Sequence, residues 1–157
     1  MHLSSKPIKS ERLILADLSP AFLKLEDKDS ETEEHKRTWV VVRQATTEDH
    51  MARAGLYARR ETKYGAEAAT GKIDSVAEVH EENYERRKMF EVYWTLDDVG
   101  NLDIDDTGKP VFEKLPAKQL SLSAFEKVWG TFPTELSDAI WRACVSFNET
   151  WDPFVRD

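Results

Sequence analysis

The chain has 157 residues, of which 40% are hydrophobic and 33% charged, and its formal net charge is -8 at pH 7. This length suits a single domain with its own core, and the negative charge disfavours binding to nucleic acid or to anionic membranes. A single cysteine, Cys144, excludes an internal disulfide framework, and we expect it to be a small buried side chain. The first residues lack the apolar stretch of a signal peptide, which predicts a cytoplasmic protein.

Short apolar segments in residues 1–45 predict a small antiparallel sheet. The first is Arg12–Ala16, the second lies around Phe22–Leu25, and the third is Thr38–Gln44, rich in β-branched and aromatic residues. The acidic run at 26–34 contains no apolar residue and predicts a solvated loop between the second and third strands. This β-rich part is interpreted as the first portion of one domain that spans the whole chain.

The hydrophobic period becomes helical at Thr46 or Thr47, and residues 46–157 are predicted to be helical apart from a loop at 97–119. An acid three residues after Thr46, at Asp49, predicts a helix cap. One face of this first helix is predicted to carry Met51, Ala54, Gly55 and Ala58. Residues 36–63 hold seven Lys or Arg against three acids, which favours a solvated face or a site for an acidic partner over a nucleic-acid patch.

A second helix is predicted from about Asn83 to Asp98, with a strand through 90–96 as the competing interpretation because β-forming residues are dense there. The following loop resembles the start of a calcium-binding loop at Asp103. Lys114 stands where such a loop requires a bidentate glutamate, so an ordinary turn at 107–110 is the better interpretation.

The last part of the chain predicts two helices. A capping box at Ser123 and Glu126 begins a short helix that ends at Gly130, and Pro133 begins the next one. The second helix has a clear apolar stripe, formed by Leu136, Ala139, Ile140, Ala143, Cys144 and Phe147. The predicted fold is therefore α+β and mainly α, with a small N-terminal antiparallel β-sheet followed by three to four helices.

The sequence contains no complete catalytic motif. Its six glycines are scattered, no Gly-x-Ser-x-Gly elbow occurs, and its four histidines, His2, His35, His50 and His80, are far apart. We therefore predict a protein without catalytic residues, without a metal site and without a cofactor.

The order of elements in the last two thirds of the chain resembles that of small tail assembly chaperones of long-tailed bacteriophages. The resemblance rests on Glu91–Asp98, Gly108–Phe112, Phe125–Pro133, Leu136–Ile140 and Asn148–Trp151, together with Trp39–Thr46 upstream. It implies a non-catalytic protein of the host cytoplasm that coats the tape-measure protein and recruits tail-tube subunits. Some members of that family are also made as a longer form by ribosomal frameshifting.

Aromatic residues commonly dominate the binding energy of protein interfaces, so four of them near the C-terminus are candidates for contact with a partner. They are Trp129, Phe132, Trp141 and Trp151. The competing interpretation of each is core packing.

Three other functions stay open. They are a structural virion component, such as a connector or minor tail protein; an enzyme or its regulatory subunit; and a nucleic-acid binder that uses the basic face at 53–63. The sequence leaves formation of a homo-oligomer open.

Overall fold

A computed structural model describes residues 8–26, 36–56 and 73–151, and for 25, 26 and 73–83 it describes the backbone alone. These residues form an α+β structure that is mainly α-helical, as predicted. The elements are β1 (Ser10–Ile14), α1 (Leu15–Leu18), α2 (Pro20–Glu26), β2 (Trp39–Arg43), α3 (47–56), α4 (Ile73–Thr95), β3 (Leu96–Gly100), α5 (Leu122–Trp129) and α6 (Thr134–Phe147). Short 3₁₀ turns lie at Ala117–Gln119 and Glu149–Trp151. The predicted acidic loop at 26–34 lies almost wholly outside the described residues.

The sheet is antiparallel, in the order β1-β2-β3, with β2 in the centre. Val40 and Val42 on β2 are fully buried, because this face of the sheet packs against α6. The third strand was not predicted. This strand, β3, takes the last residues of the helix predicted to Asp98 and the first residues of the loop predicted at 97–119, because the chain leaves α4 at Thr95 and turns directly back along β2.

The strand predicted around Phe22–Leu25 is wrong, because these residues lie in α2. The Oγ of Ser19 accepts a hydrogen bond from the Phe22 backbone N–H at 3.3 Å, and Pro20 occupies the first position of the helix. Serine before proline is therefore a helix start here, since proline is tolerated in the first turn. A helical backbone also explains why Phe22 is buried whereas Leu23 is 41% exposed.

The helix predicted at 83–98 exists as the end of α4, and the competing strand at 90–96 is wrong because helix continues to Thr95. The helix predicted from Pro133 agrees with α6. The cap of α5 is Ser121 and not Ser123, since the Ser121 Oγ accepts from the Ala124 backbone N–H at 3.1 Å.

Helix α6 lies at the centre of the core and packs against α4, α1 and β2. Ala139, Ile140, Ala143 and Cys144 on its apolar stripe are inaccessible to solvent. Burial raises the pKa of the Cys144 thiol to about 12, so the thiol stays protonated and unreactive at neutral pH.

Candidate functional site

An open apolar cleft of about 580 Å³ lies between the α5–α6 corner and the hairpin at 102–111. Its apolar lining side chains are all partly accessible to solvent except Leu136, which is buried at the bottom. The lining is formed by Leu102, Asp103, Ile104, Val111, Lys127, Val128, Thr131, Phe132, Pro133 and Leu136. This volume lies within the range of roughly 300–1,000 Å³ that is usual for ligand sites.

The first wall of the cleft is the corner where α5 ends and α6 begins. The Gly130 backbone N–H bonds the Glu126 carbonyl at 2.9 Å, and the Phe132 N–H bonds the Trp129 carbonyl at 3.1 Å. The Pro133 carbonyl accepts from the Leu136 N–H at 3.1 Å, which closes the first turn of α6. The corner is thus fixed by backbone bonds.

The second wall is a hairpin whose backbone bonds join its two sides. Ile104 N–H bonds the Lys109 carbonyl at 2.8 Å, and Val111 N–H bonds the Leu102 carbonyl at 3.2 Å. Gly108, at φ +75°, closes the tip, a conformation that glycine adopts without strain. The tip is therefore a hairpin turn that begins at Asp105, two residues earlier than the predicted turn at 107–110.

Ile104 on this hairpin is 59% exposed beside the cleft. A large apolar side chain exposed next to other apolar surface is a feature of binding sites.

An aromatic cluster supports the first wall from behind. Phe125 stacks on Phe112 with ring centroids 5.6 Å apart, and on Trp129 at 5.9 Å. Phe132 contacts both Trp129, at 5.7 Å, and Phe112, at 5.8 Å. Each such pair contributes about 0.5–1.5 kcal/mol beyond its buried area, so the cluster holds the Phe132 ring in place at the cleft.

The four aromatic residues predicted to bind a partner lie in three different places. Phe132 lines the cleft, and Trp129 contacts the Phe132 ring without lining the cleft itself; both are half-buried. Trp141 and Trp151 are 3% and 2% exposed in the core. The Trp141 Nε1 donates to Glu91 Oε2 at 2.7 Å, and the Trp151 Nε1 donates to His50 Nδ1 at 3.0 Å. These last two tryptophans therefore act in packing, which was the competing interpretation.

The sequence reasoning missed Ile104, Val128 and Leu136 as members of the site. The only local signal was Ile104, an isoleucine between aspartates in a segment that otherwise reads as a solvated turn. Val128 and Leu136 follow ordinary helical periods, so their pattern does not distinguish a cleft from a core.

The hairpin beside the cleft is strongly acidic. Residues 96–108, which form β3 and the first part of the hairpin, contain five aspartates and no Lys or Arg, and Lys109 is the one cation of the hairpin. Four of them, Asp98, Asp103, Asp105 and Asp106, are exposed. Hydrogen bonds from the Thr107 hydroxyl and from its backbone N–H to Asp105 hold the pKa of that carboxyl below its usual value. Lys127, on the opposite wall, is the one cationic side chain among the residues that line the cleft.

A second group of charged residues is buried and joins α3 to the rest of the fold. Asp49 on α3 accepts from Arg43 at 3.1 Å and from the Thr46 backbone N–H at 2.8 Å, and it also contacts Lys118. The Thr46 hydroxyl in turn accepts from the Asp49 N–H at 3.3 Å, which confirms the predicted helix cap. These contacts are reciprocal and internal, so this group stabilises structure.

Within residues 8–26, 36–56 and 73–151, no cluster of three His, Cys, Asp or Glu side chains is placed to hold a metal ion. No helix in this part of the chain combines the length and apolar character needed to cross a bilayer. Comparisons of the chain with protein-family models, with curated proteins and with solved structures gave no match.

Proposed function

We propose that this protein is a non-catalytic tail assembly chaperone of a long-tailed bacteriophage, which binds the tape-measure protein, the tail-tube protein or both in the host cytoplasm. The observation that carries the proposal is the apolar cleft at the α5–α6 corner, with Ile104 exposed at its edge. The order of elements that resembles tail assembly chaperones supports the choice of partners.

The cleft suits an apolar stripe on a partner helix. Helices that bind in grooves insert side chains at three- and four-residue spacing. The lining offers few polar groups that could orient a small molecule, chiefly Asp103, Lys127 and Thr131, on different walls. A tape-measure chain has such apolar stripes exposed until the tail tube encloses it, and a chaperone with a net charge of -8 keeps the complex dispersed.

The size of the cleft favours a complex that can be released. The cleft has room for about two apolar side chains of a partner. Burying each of them contributes roughly 1.5–3 kcal/mol to the binding free energy. Association costs roughly 4–15 kcal/mol in lost freedom of motion, so a single cleft gives weak binding. Several copies along one tape-measure chain each bind weakly and leave when the tube assembles.

Co-expression with the tape-measure and tail-tube proteins of the same phage, followed by size-exclusion chromatography, tests the proposal. Because binding at one cleft is weak, the column is equilibrated with the free protein, and we expect the complex with at least one of them to co-elute. Ile104→Gln removes exposed apolar surface at the cleft, and Met51→Gln does the same on α3, where Met51 is 70% exposed and does not line the cleft. We expect Ile104→Gln to weaken binding by about tenfold, the equivalent of 1.4 kcal/mol, and Met51→Gln to bind like wild type.

Two results would reject parts of the proposal. Failure of the wild-type protein to co-elute with either partner would reject the chaperone function. Equal binding by Ile104→Gln and Met51→Gln would show that the partner contacts a surface outside the cleft.

The main rival is a structural virion component, and mass spectrometry of purified virions separates the two. A chaperone leaves before the virion is complete, whereas a connector or minor tail protein stays in stoichiometric amount.

A further inference from the structure

We infer that the cleft takes an amphipathic helix whose apolar stripe is flanked by Lys or Arg, so that the cations meet the aspartates of the hairpin. This inference rests on the proposed binding function and adds the chemistry of the partner. It is carried by the position of the acidic residues relative to the apolar surface.

The aspartates lie on the same wall as the exposed apolar side chain. Ile104 is flanked in sequence by Asp103, which itself lines the cleft, and by Asp105. An apolar side chain of a partner that contacts Ile104 brings the neighbouring polar residues of that helix close to these carboxylates. Lys109 is the first cation along the chain after this segment.

The aspartates are available for a partner. Among the residues that the structure describes, no Lys or Arg lies within ion-pair distance of Asp98, Asp103 or Asp106. Asp97, the fifth aspartate of the segment, is half-buried and lies 3.5 Å from the Arg43 Nε. The structure thus separates one half-buried aspartate, which lies near Arg43, from four that face solvent.

The net charge also disfavours binding of a second copy of this chain in the cleft. A second copy brings the same net charge of -8 and the same acidic hairpin to the interface. Like charges placed against each other oppose association, whereas cations on the partner favour it and raise the association rate.

Three labelled synthetic peptides test the inference on the full-length protein by fluorescence anisotropy. Each is a helix of about 18 residues, or five turns, with the same apolar stripe. The polar face carries Lys in the first, Gln in the second and Glu in the third. We expect the Lys peptide to bind about tenfold more tightly than the Glu peptide, with the Gln peptide between them. The difference should shrink when ionic strength rises from about 0.05 to about 0.3 M, because salt screens exposed charges.

The double variant Asp103→Asn, Asp106→Asn should bring binding of the Lys peptide close to that of the Gln peptide. Both side chains are exposed, so the fold should be unaffected. The matched control is Glu11→Gln, Glu48→Gln, which changes the net charge equally at exposed positions on β1 and α3. We expect this control to retain the preference for the Lys peptide.

Several results would overturn the inference while the proposed function survives. Equal binding of the three peptides, all weakened by Ile104→Gln, would leave an apolar cleft without charge selection. Absence of peptide binding, with co-elution of the tail proteins intact, would place the partner elsewhere. An equal loss in the Glu11, Glu48 control would assign the preference to overall charge. A dimer that Ile104→Gln dissociates in light scattering would identify a second copy as the occupant. If neither peptides nor tail proteins bind, both proposals fail.

Discussion

Glu91 shows how the fold accommodates a fully buried carboxylate. Its Oε1 accepts from the Arg53 Nε at 2.8 Å and its Oε2 from the Trp141 Nε1 at 2.7 Å, and the Arg87 Nε lies 3.8 Å from Oε1. One side chain of α4 therefore joins α3 and α6. Burying a carboxylate is costly unless it is paired and hydrogen-bonded, and here both of its oxygens have partners.

Substitution of Glu91 by Gln should destabilise the protein by about 3 kcal/mol, because the buried carboxylate that accepts from Arg53 and Trp141 would become a neutral amide. Urea denaturation monitored by tryptophan fluorescence measures the change. Glu113→Gln at an exposed position is the control, and its effect should stay within about 0.5 kcal/mol. A loss below about 1 kcal/mol for Glu91→Gln would show that a neutral amide replaces the carboxylate at little cost.

Asp49 and Asp97 should give opposite dependences of stability on pH. Burial alone would raise the pKa of Asp49, but hydrogen bonds from Lys118 and Thr46 and the charge of Arg43 outweigh it and lower the pKa below 3.8. Burial dominates at Asp97 and raises its pKa above 3.8, against the opposing charges of Arg43 and Lys118. Asp49 therefore contributes stability above its unfolded pKa and loses it as pH falls through the folded pKa. Ionised Asp97 reduces stability, and this penalty disappears as pH falls.

Urea midpoints between about pH 6 and pH 3 test this difference in Asp49→Asn and Asp97→Asn. The destabilisation caused by Asp49→Asn should be largest at pH 6 and shrink below about pH 4. Asp97→Asn should become less favourable, relative to wild type, over the same fall in pH. Parallel curves for both variants and wild type would contradict the assignment.

At the scale of elements, the sequence pattern predicted the helices and strands whose formation depends on residues that are neighbours along the chain. β2 has a dense run of β-branched residues, and α6 has an uninterrupted apolar stripe. β3 was missed because its sequence, Leu96–Gly100, contains only two apolar side chains, and it becomes a strand through pairing with β2 more than fifty residues earlier. α2 was missed because the apolar residues around Phe22–Leu25 were taken for a strand, whereas Ser19 and Pro20 before them begin a helix.

The position of the α5 cap gives a direct test at this scale. Ser121→Ala removes the hydrogen bond to the Ala124 N–H and should cost about 1 kcal/mol of unfolding free energy. Ser123→Ala, at the cap that the sequence pattern indicated, lies inside the helix and should be neutral or stabilising by a few tenths of a kcal/mol. Thermal and urea denaturation of the two variants decide between the positions, and a larger loss for Ser123→Ala would contradict the structure.

At the scale of the whole molecule, the cleft could not be predicted from the sequence, because its two walls come from separate segments of the chain, the hairpin at 102–111 and the α5–α6 corner. The aromatic pattern selected Phe132, which lines the cleft, and Trp129, which contacts it, but it also selected Trp141 and Trp151, which lie in the core. Periodicity indicates that a side chain is apolar and faces inward. Whether it faces a filled core or an open cleft depends on the hairpin at 102–111, which packs on it from outside the helical pattern.

Asn148 connects the end of α6 to the end of β2, and it tests whether the sheet and the C-terminal helices unfold together as the single domain that the length predicts. Its Oδ1 accepts from the Ala45 N–H at 2.8 Å, and its Nδ2 donates to the Arg43 and Cys144 carbonyls, each at 3.1 Å. Asn148→Ala removes the side-chain partner of the Ala45 N–H and of the Arg43 carbonyl, at a cost of roughly 3 kcal/mol, whereas the Cys144 carbonyl keeps its bond from the backbone N–H of residue 148.

In a single cooperative unit, this variant lowers the urea midpoint by the same amount whether unfolding is followed by far-ultraviolet circular dichroism or by tryptophan fluorescence. Ser146→Ala, an exposed position two residues earlier in α6, is the control and should change stability by less than about 0.5 kcal/mol. Separate midpoints for the two probes would instead show that the sheet and the C-terminal helices unfold independently. In that case the bonds from Asn148 would join two units, and the length of the chain would have been a misleading guide to its domain count.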